Sequence, residues 1–410
     1  MRVLIQGINF HPEIIGIGKY TSELALYLSE RGHQIRVITA PPYYPQWRVF
    51  GSYRAWSYQK ENWQGIDILR CPLWIPRKPS GYQRMLHLSS FAFSTLPAML
   101  RQVSWRPDIV FSVAPAISSA MNAILLSRLA RSKMWLHVQD FEFDAAIKLG
   151  LMPNTNLIIR IAQSFEAFIY KRFDMVSTIS ERMLERLREK GVSRERSTML
   201  PNWIDPEFIY PCDGQNPFRK ALDIQDDQVV ILYSGNMGHK QGLEILIDAA
   251  KILRSDADLL FILCGEGAVK HDLERSANSL PNLRFMPLQP REKLNSLLNM
   301  ADIHVLPQRS DAADLVMPSK IAGMLASGRP VIATAYEHTE VGQLVDQVGC
   351  LVPPEAPDAL AQAIHLLAKD DGLRNCLGRK GRAFVETHWA RERILGDFLE
   401  KLTMIQDSQV

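Results

Sequence analysis

Met317-Pro318-Ser319-Lys320-Ile321-Ala322-Gly323-Met324-Leu325-Ala326-Ser327-Gly328-Arg329-Pro330-Val331-Ile332-Ala333 is, in succession, a loop, a short helix, a Gly-Arg-Pro turn and a buried strand. A missing N–H costs nothing in a first helical turn, so Pro318 suits the start of the helix. Ser319 is placed to cap the first free N–H groups. Lys320 then falls in the first turn, the end at which the helix dipole disfavours a cation. Two readings fit. Either an anion such as a diphosphate sits at that N-terminus and the lysine meets it, or the helix is ordinarily capped and the lysine is solvated.

Outward from this stretch, short apolar runs alternate with helical patterns in both halves of the chain. Strands are expected at 3–8, 34–39, 67–71, 108–113, 134–138 and 175–179, and again at 229–234, 259–264, 283–285, 303–306, 331–333 and 350–352. Helices fit at 20–31, 243–253, 269–279, 291–300 and 319–326, with a last one over 390–404. Apolar strands alternating with helices mean parallel sheets covered on both faces. The fold class is therefore α/β, with two doubly wound, Rossmann-like domains. The first is expected over 1–201, a Pro/Gly-rich linker over 202–217, the second over 218–388 and a closing helix over 389–410. Ligands of such sheets bind beyond the carboxyl ends of the strands, so facing domains would hold a site in the cleft between them.

Composition narrows the function classes. The chain of 410 residues is 47% hydrophobic and 22% charged, with room for two full cores. A net charge of +3 is too balanced to argue for nucleic acid. The five cysteines are scattered without a C-x-x-C pair, against a zinc site or disulfide framework and in keeping with a reducing cytoplasm. The most apolar long segment, 85–100, contains His87, serines and Pro97 and falls short of a membrane span.

The strand ends carry the chemistry. The turn over 7–21 holds Gly16-Ile17-Gly18 but lacks the third glycine of a dinucleotide fingerprint, and Glu13 stands where a Walker loop needs its first glycine. Its small residues admit a ligand close to the backbone, or make a surface loop. Ser234-Gly235-Asn236-Met237-Gly238-His239-Lys240-Gln241-Gly242 ends the first strand of the second half, in an arrangement suited to anions. Gly265 and Glu266 end the next strand, as part of a nucleotide base site or as a tight turn. His137 and Asp140 lie at a first-half strand end. A carboxylate or imidazole there suits general-base work, caps and solvated charges being the bland alternative, and Asp140 is favoured as nearest the strand end. Asp311 and Asp314 precede the opening stretch, where they suit sugar hydroxyls. Asp256-Ala257-Asp258 precedes a strand instead of ending one, so it reads as a solvated turn and no metal is expected. The segment 41–78 interleaves aromatics with cations, which fits sugar stacking, a polyprenyl diphosphate head group or an anionic membrane surface, and equally a satellite cluster packing a long insertion.

Together, Gly16-Ile17-Gly18-Lys19-Tyr20, Thr39-Ala40-Pro41-Pro42-Tyr43-Tyr44-Pro45-Gln46-Trp47, the 234–242 loop and Met317-Pro318-Ser319-Lys320 resemble the WcaI group of colanic-acid-type fucosyltransferases, within the retaining GT-B glycosyltransferases. The resemblance covers nearly the whole chain. It implies a nucleotide sugar, GDP-fucose, held mainly by the second domain without metal or other cofactor. It implies a lipid-linked saccharide acceptor on the first domain, a last helix that crosses back, and a cytoplasmic enzyme in peripheral contact with the inner membrane face. By the class pattern Gly16, Gly18, the loop with Gly235, Asn236, Gly238, Lys240 and Gln241, and Ser319 serve the donor phosphates; the readings of the residues above add Gly265, Glu266, Asp311 and Asp314 to the donor site. His11, Tyr43, Tyr44, Trp47 and His137 are expected at the acceptor, and by the class pattern Asp140 and Lys320 serve the chemistry. The chain departs from the wider class in two places. Leu315 and Gly323 stand where it usually has glutamates, and Asn236 and Gln241 where it often pairs an arginine with a lysine. Two rivals remain, a non-hydrolysing nucleotide-sugar epimerase of the same fold and a non-catalytic partner in a glycan-assembly complex, the second made plausible by the missing glutamates.

Overall fold

The computed structural model describes residues 1–13, 16–77, 81–141, 144, 156–212, 214–310 and 317–407. It divides into a first unit, Met1–Asn202 with Leu395–Val410, and a second, Trp203–Ile394. Each is built on one sheet with its own apolar core.

The first unit carries β1 (Arg2–Gly7), β2 (Gln34–Thr39), β3 (Gln59–Trp63), β4 (Ile66–Arg70), β5 (Ile109–Ala114), β6 (Lys133–Val138), β7 (Met175–Thr178) and β8 (Ser197–Met199), in the order β3-β4-β2-β1-β5-β6-β7-β8. Only β3 is antiparallel. β1 and β5 are neighbours, and the chain leaves them in opposite directions across the sheet. That reversal is where such sheets open a crevice. Helix α1 (Gly16–Glu30) joins β1 to β2, while α2 (Gly81–Leu100), α3 (Ala120–Ala130) and α4 (Asn156–Tyr170) connect strands running the other way. Right-handed crossovers place these three together on one face of the sheet. The core under them contains Met99, Ile124, Leu126, Ile169 and Tyr170. The last helix, Arg391–Asp407, sets Phe398 against Phe111 and Trp135, with ring centroids 5.3 and 4.8 Å away.

The second unit has β9 (Val229–Ser234), β10 (Leu259–Cys264), β11 (Leu283–Met286), β12 (Ile303–Pro307), β13 (Val331–Thr334) and β14 (Cys350–Val352), all parallel in the order β11-β10-β9-β12-β13-β14. Its reversal point lies between β9 and β12. Continuous apolar runs such as Leu259–Cys264, buried along their whole length, form these strands because both faces are covered.

Three sequence expectations need correction. The helix expected over 291–300 is a 3-10 turn, Arg291–Lys293, followed by helix Leu294–Met300. The helix expected from Ser319 begins at Lys320, and Ser319 is already helical in φ and ψ with no capping hydrogen bond from its side chain. Strands β3 and β8 were not expected. Both are edge strands, and β3, Gln-Lys-Glu-Asn-Trp, has no apolar run to announce it.

Candidate active site

In the second unit three loops meet at the β9–β12 reversal. The chain leaves β9 through Gly235, whose φ of +149° favours glycine. Gly235 N–H donates to the Cys264 carbonyl at 2.9 Å, and Met237 N–H to the Glu266 carbonyl at 2.8 Å, which fastens the 235–238 loop to the turn after β10. The fit leaves no room for side chains. A Cβ on Gly265 would stand 1.9 Å from the Gly235 carbonyl oxygen, and one on Gly267 would stand 2.2 Å from that of Met237. Gln241 Oε1 accepts from Gly238 N–H at 3.2 Å and closes the loop, so its visible task is to shape the turn. Asn236 is exposed beside it. Glu266 pairs with Lys270 at 2.7 Å.

Lys320 enters from the loop side of β12. Its Nζ lies 4.1 Å from the centroid of the Tyr233 ring and 3.6 Å from the place a Gly235 Cβ would occupy. Tyr233 is buried at the end of β9 and donates its hydroxyl to the Asn236 carbonyl. The ring face attracts an ammonium, but desolvation in this half-buried place pushes the lysine amine down to about 7. A lysine so perturbed at a helix N-terminus, beside the glycine loop that leaves β9, is a functional-site candidate. An anion arriving beside it would restore the charged form. Arg309, after β12, lies against Gly242, with Cγ 2.8 Å from the position of an added Cβ. Tyr233 and Arg309 were missed from sequence: the first reads as one more strand aromatic, and the second lies outside any motif. The side chain of Lys240, together with Asp311, Asp314 and Leu315, lies outside the described residues.

The equivalent loop of the first unit is built around its own anion. Glu13 is only 3% exposed, and its carboxylate accepts from Asn9 Nδ2 at 2.8 Å, Tyr43 N–H at 2.8 Å and Tyr44 N–H at 2.9 Å. Burial still pushes its acid pKa up against those three bonds. Gly18 is buried with its missing Cβ facing Glu13, 2.9 Å from the glutamate Cβ. Its smallness therefore serves this packing. Gly16, by contrast, is exposed with φ +60°.

The residues assigned to the acceptor separate into two groups. Tyr43 is interior: its hydroxyl bonds His87 Nε2 at 2.9 Å, and its ring meets Trp47 edge-on at 5.6 Å. His137 is also interior, held by Ser177 Oγ at 2.9 Å, and burial lowers its pKa to about 3, so it stays neutral. Neither can reach an acceptor. Trp47 is half-buried in the same satellite cluster as Tyr43. His11 stacks on Trp63 with centroids 4.2 Å apart, and its pKa is lowered by burial and then by Arg70. Arg70 is itself fully buried, donating to the carbonyls of His11 and Ala40 and pairing with Glu61. Much of the aromatic-basic segment is thus local packing. Tyr44 and Asp140 are exposed, Asp140 two residues beyond β6. Four residues further, Asp144 is pinned by Lys190 at 2.9 Å and Arg186 at 3.0 Å, which lower its pKa against the effect of burial. Among the described residues no three His, Cys, Asp or Glu side chains are grouped to hold a metal ion.

Two doubly wound units, one with a lysine-bearing glycine loop at its reversal point, define a glycosyltransferase of the GT-B class. The model of the glycosyl transferase 4-like domain matches residues 16–203, and that of glycosyl transferases group 1 matches residues 214–384. The putative colanic acid biosynthesis glycosyl transferase WcaI of Escherichia coli K12 is 40% identical over 98% of this chain and 100% of its own length. The chain belongs to this WcaI family of glycosyltransferases. The N-acetyl-alpha-D-glucosaminyl L-malate synthase of Bacillus anthracis is 22% identical over 96% of this chain and 94% of its own. Among solved structures, sucrose-phosphate synthase from Thermosynechococcus elongatus superposes with TM-score 0.76 at 17% identity, over 100% of both chains. HepE from Anabaena in complex with UDP superposes at 0.71 and 14%, over 98% of this chain and 100% of that one. At these identities the two structures speak for the fold alone.

Proposed function

We propose that the protein transfers fucose from GDP-fucose to a hydroxyl of a lipid-linked saccharide during assembly of a colanic-acid-type exopolysaccharide, with retention at the anomeric carbon. The observation that carries the proposal is Lys320 beside the Gly235 loop, a cation with no acid paired to it in any described contact and lodged over a ring. The acceptor oxygen bonds to the anomeric carbon while the bond to the diphosphate breaks. The diphosphate leaves with the electron pair, and the hydroxyl proton passes to a donor phosphate oxygen. Charge thus develops on the diphosphate, where the Lys320 ammonium stabilises it without a metal ion. Asp140 orients the acceptor hydroxyl from the end of β6. The glutamates absent at 315 and 323 leave the donor sugar and ribose to other contacts. Kinship with WcaI supports the exopolysaccharide setting, and the motif resemblance supports the choice of fucose.

The experiment is incubation of the purified chain with GDP-fucose and a lipid-linked saccharide extract, followed by mass spectrometry of the lipid fraction. A deoxyhexose mass increment on the acceptor is expected. Conversion of a nucleotide sugar without any acceptor would replace this reading with an epimerase, and nucleotide binding with no turnover of any donor would leave a scaffold.

A further inference from the structure

The helices on one face of the first unit have an outer surface unlike that of an ordinary solvated domain. On α2, Tyr82, Leu86, Phe93 and Leu100 are exposed, Phe93 at 78% and Tyr82 at 69%. At 100° per residue these four fall within about 40° of one another, so they form a single stripe along the helix. The neighbouring α3 repeats the pattern with Met121, Leu125 and Leu129 exposed at a spacing of one turn. The two helices are tied through Asn122, whose Nδ2 donates to the Ala92 carbonyl at 2.7 Å and to Thr95 Oγ1 at 3.0 Å. Ile161 and Phe168 continue the apolar surface on α4. Inward faces of all three helices fill the core, so these outer residues are surplus to folding.

Charge decides what covers them. Between residues 68 and 139 the sequence holds one acid, Asp108, against nine lysines and arginines, in a chain whose net charge is only +3. Arg77, Arg84, Arg101, Arg106, Arg128 and Arg131 of that stretch are exposed. Arg101 follows Leu100 directly, and Arg128 and Arg131 flank Leu129. An apolar stripe with aromatic members, fringed by arginine and free of acids, is the pattern of a surface that lies in the head-group layer of an anionic bilayer. A second copy of this chain would bring the same positive charge and be repelled. Among the described residues no helix is long and apolar enough to cross a membrane.

We infer that the outer face of α2 and α3 is a membrane-docking surface, on which Tyr82, Leu86, Phe93, Leu100, Leu125 and Leu129 enter the interface of an anionic phospholipid bilayer and the arginines meet its phosphates. The inference deepens the lipid-linked acceptor reading and rests on it for its purpose. It also places membrane contact on the helices that follow the aromatic-basic segment 41–78, where the sequence had suggested it as one of several readings.

The test is co-sedimentation of the full chain with vesicles of phosphatidylcholine alone and of equal parts phosphatidylcholine and phosphatidylglycerol. Binding to the mixed vesicles only is expected. The double substitution Leu86→Glu, Phe93→Glu should lower the bound fraction about tenfold, and Arg101→Glu, Arg128→Glu should do so most strongly at low salt. The substituted side chains are exposed, so thermal melting should not change. A wild-type chain that stays in the supernatant with both vesicles, or variants that sediment like wild type, would overturn the inference. So would wild-type dimers in sedimentation velocity that Phe93→Glu dissociates without any vesicle binding. No transfer is read, so this failure is distinguishable from failure of the acceptor reading.

Discussion

The loop after β1 and the loop after β9 occupy the same place in their sheets, each leaving the strand at which the chain reverses direction, and they are built with opposite charge. After β9, glycines bring backbone to backbone and the charged group is Lys320, lodged over Tyr233 and held near neutrality by desolvation. After β1, the charged group is Glu13, already satisfied by Asn9 and the amides of Tyr43 and Tyr44. There the side-chain amide of Asn9 and the backbone N–H groups of Tyr43 and Tyr44, which follow β2, are used on the protein's own carboxylate. The difference teaches that a reversal point with glycines suits an anionic ligand where its charged group is a cation with no acid in its described contacts, and not where it is a carboxylate already enclosed. By that criterion the proposed diphosphate site falls in the second unit.

Substitutions can break or sharpen this contrast. The largest effect is expected from Lys320→Met, which keeps the apolar stem over Tyr233 and removes the cation. Transfer should fall by about a thousandfold, as for loss of a principal donor to a developing anion, while the circular-dichroism melting curve stays in place. Unchanged turnover would end the role given to Lys320. Next comes Glu13→Ala, which strands three donors at once. Its urea midpoint should report a loss of about 3 kcal/mol, with Glu13→Gln costing less because an oxygen remains, and equal cost for the two would deny the carboxylate its organising part. Gly265→Ala forces the β9 and β10 loops apart and should destabilise by about 1–3 kcal/mol. It should also weaken GDP binding about tenfold, by calorimetry, because a small misplacement of the loop is costly. Smallest is Tyr44→Ala, at an exposed side chain, with stability changed by no more than about 0.5 kcal/mol. A larger loss would mean that Tyr44 packs as Tyr43 does.

Much of the second unit was legible in the sequence because its strands are continuous apolar runs buried on both faces. Those at Val229–Ser234 and Leu259–Cys264 fall where expected, residue for residue, and so does the half-buried edge strand Cys350–Val352. The first unit hid its edges. β3 is polar and pairs on one side only, so neither burial nor periodicity marks it. At the site, glycines at strand ends announced Gly235, Gly238 and Gly265, and an oddly placed cation announced Lys320. What sequence could not give was the direction of a side chain. Tyr43 and Tyr44 are adjacent and identical, yet one bonds His87 inside and the other faces water. His137 alternates inward along β6, and Glu13 read as a flaw in a phosphate loop when it is that loop's internal partner. Ser319 looked like a cap, but its backbone is already helical.

The most direct measurement is the proton balance of GDP binding. In the free protein the Lys320 amine titrates at about 7, so at about pH 8 it is mostly neutral. A diphosphate beside it favours the ammonium and raises that pKa, so binding should draw close to one proton from the buffer, and affinity should fall as the pH rises from 7 through the raised value. Calorimetric titration of GDP in two buffers of different ionisation enthalpy reads this directly. The account predicts proton uptake in the wild type that is lost, with most of the affinity, in Lys320→Met. Proton-neutral binding of equal strength in both proteins would contradict it.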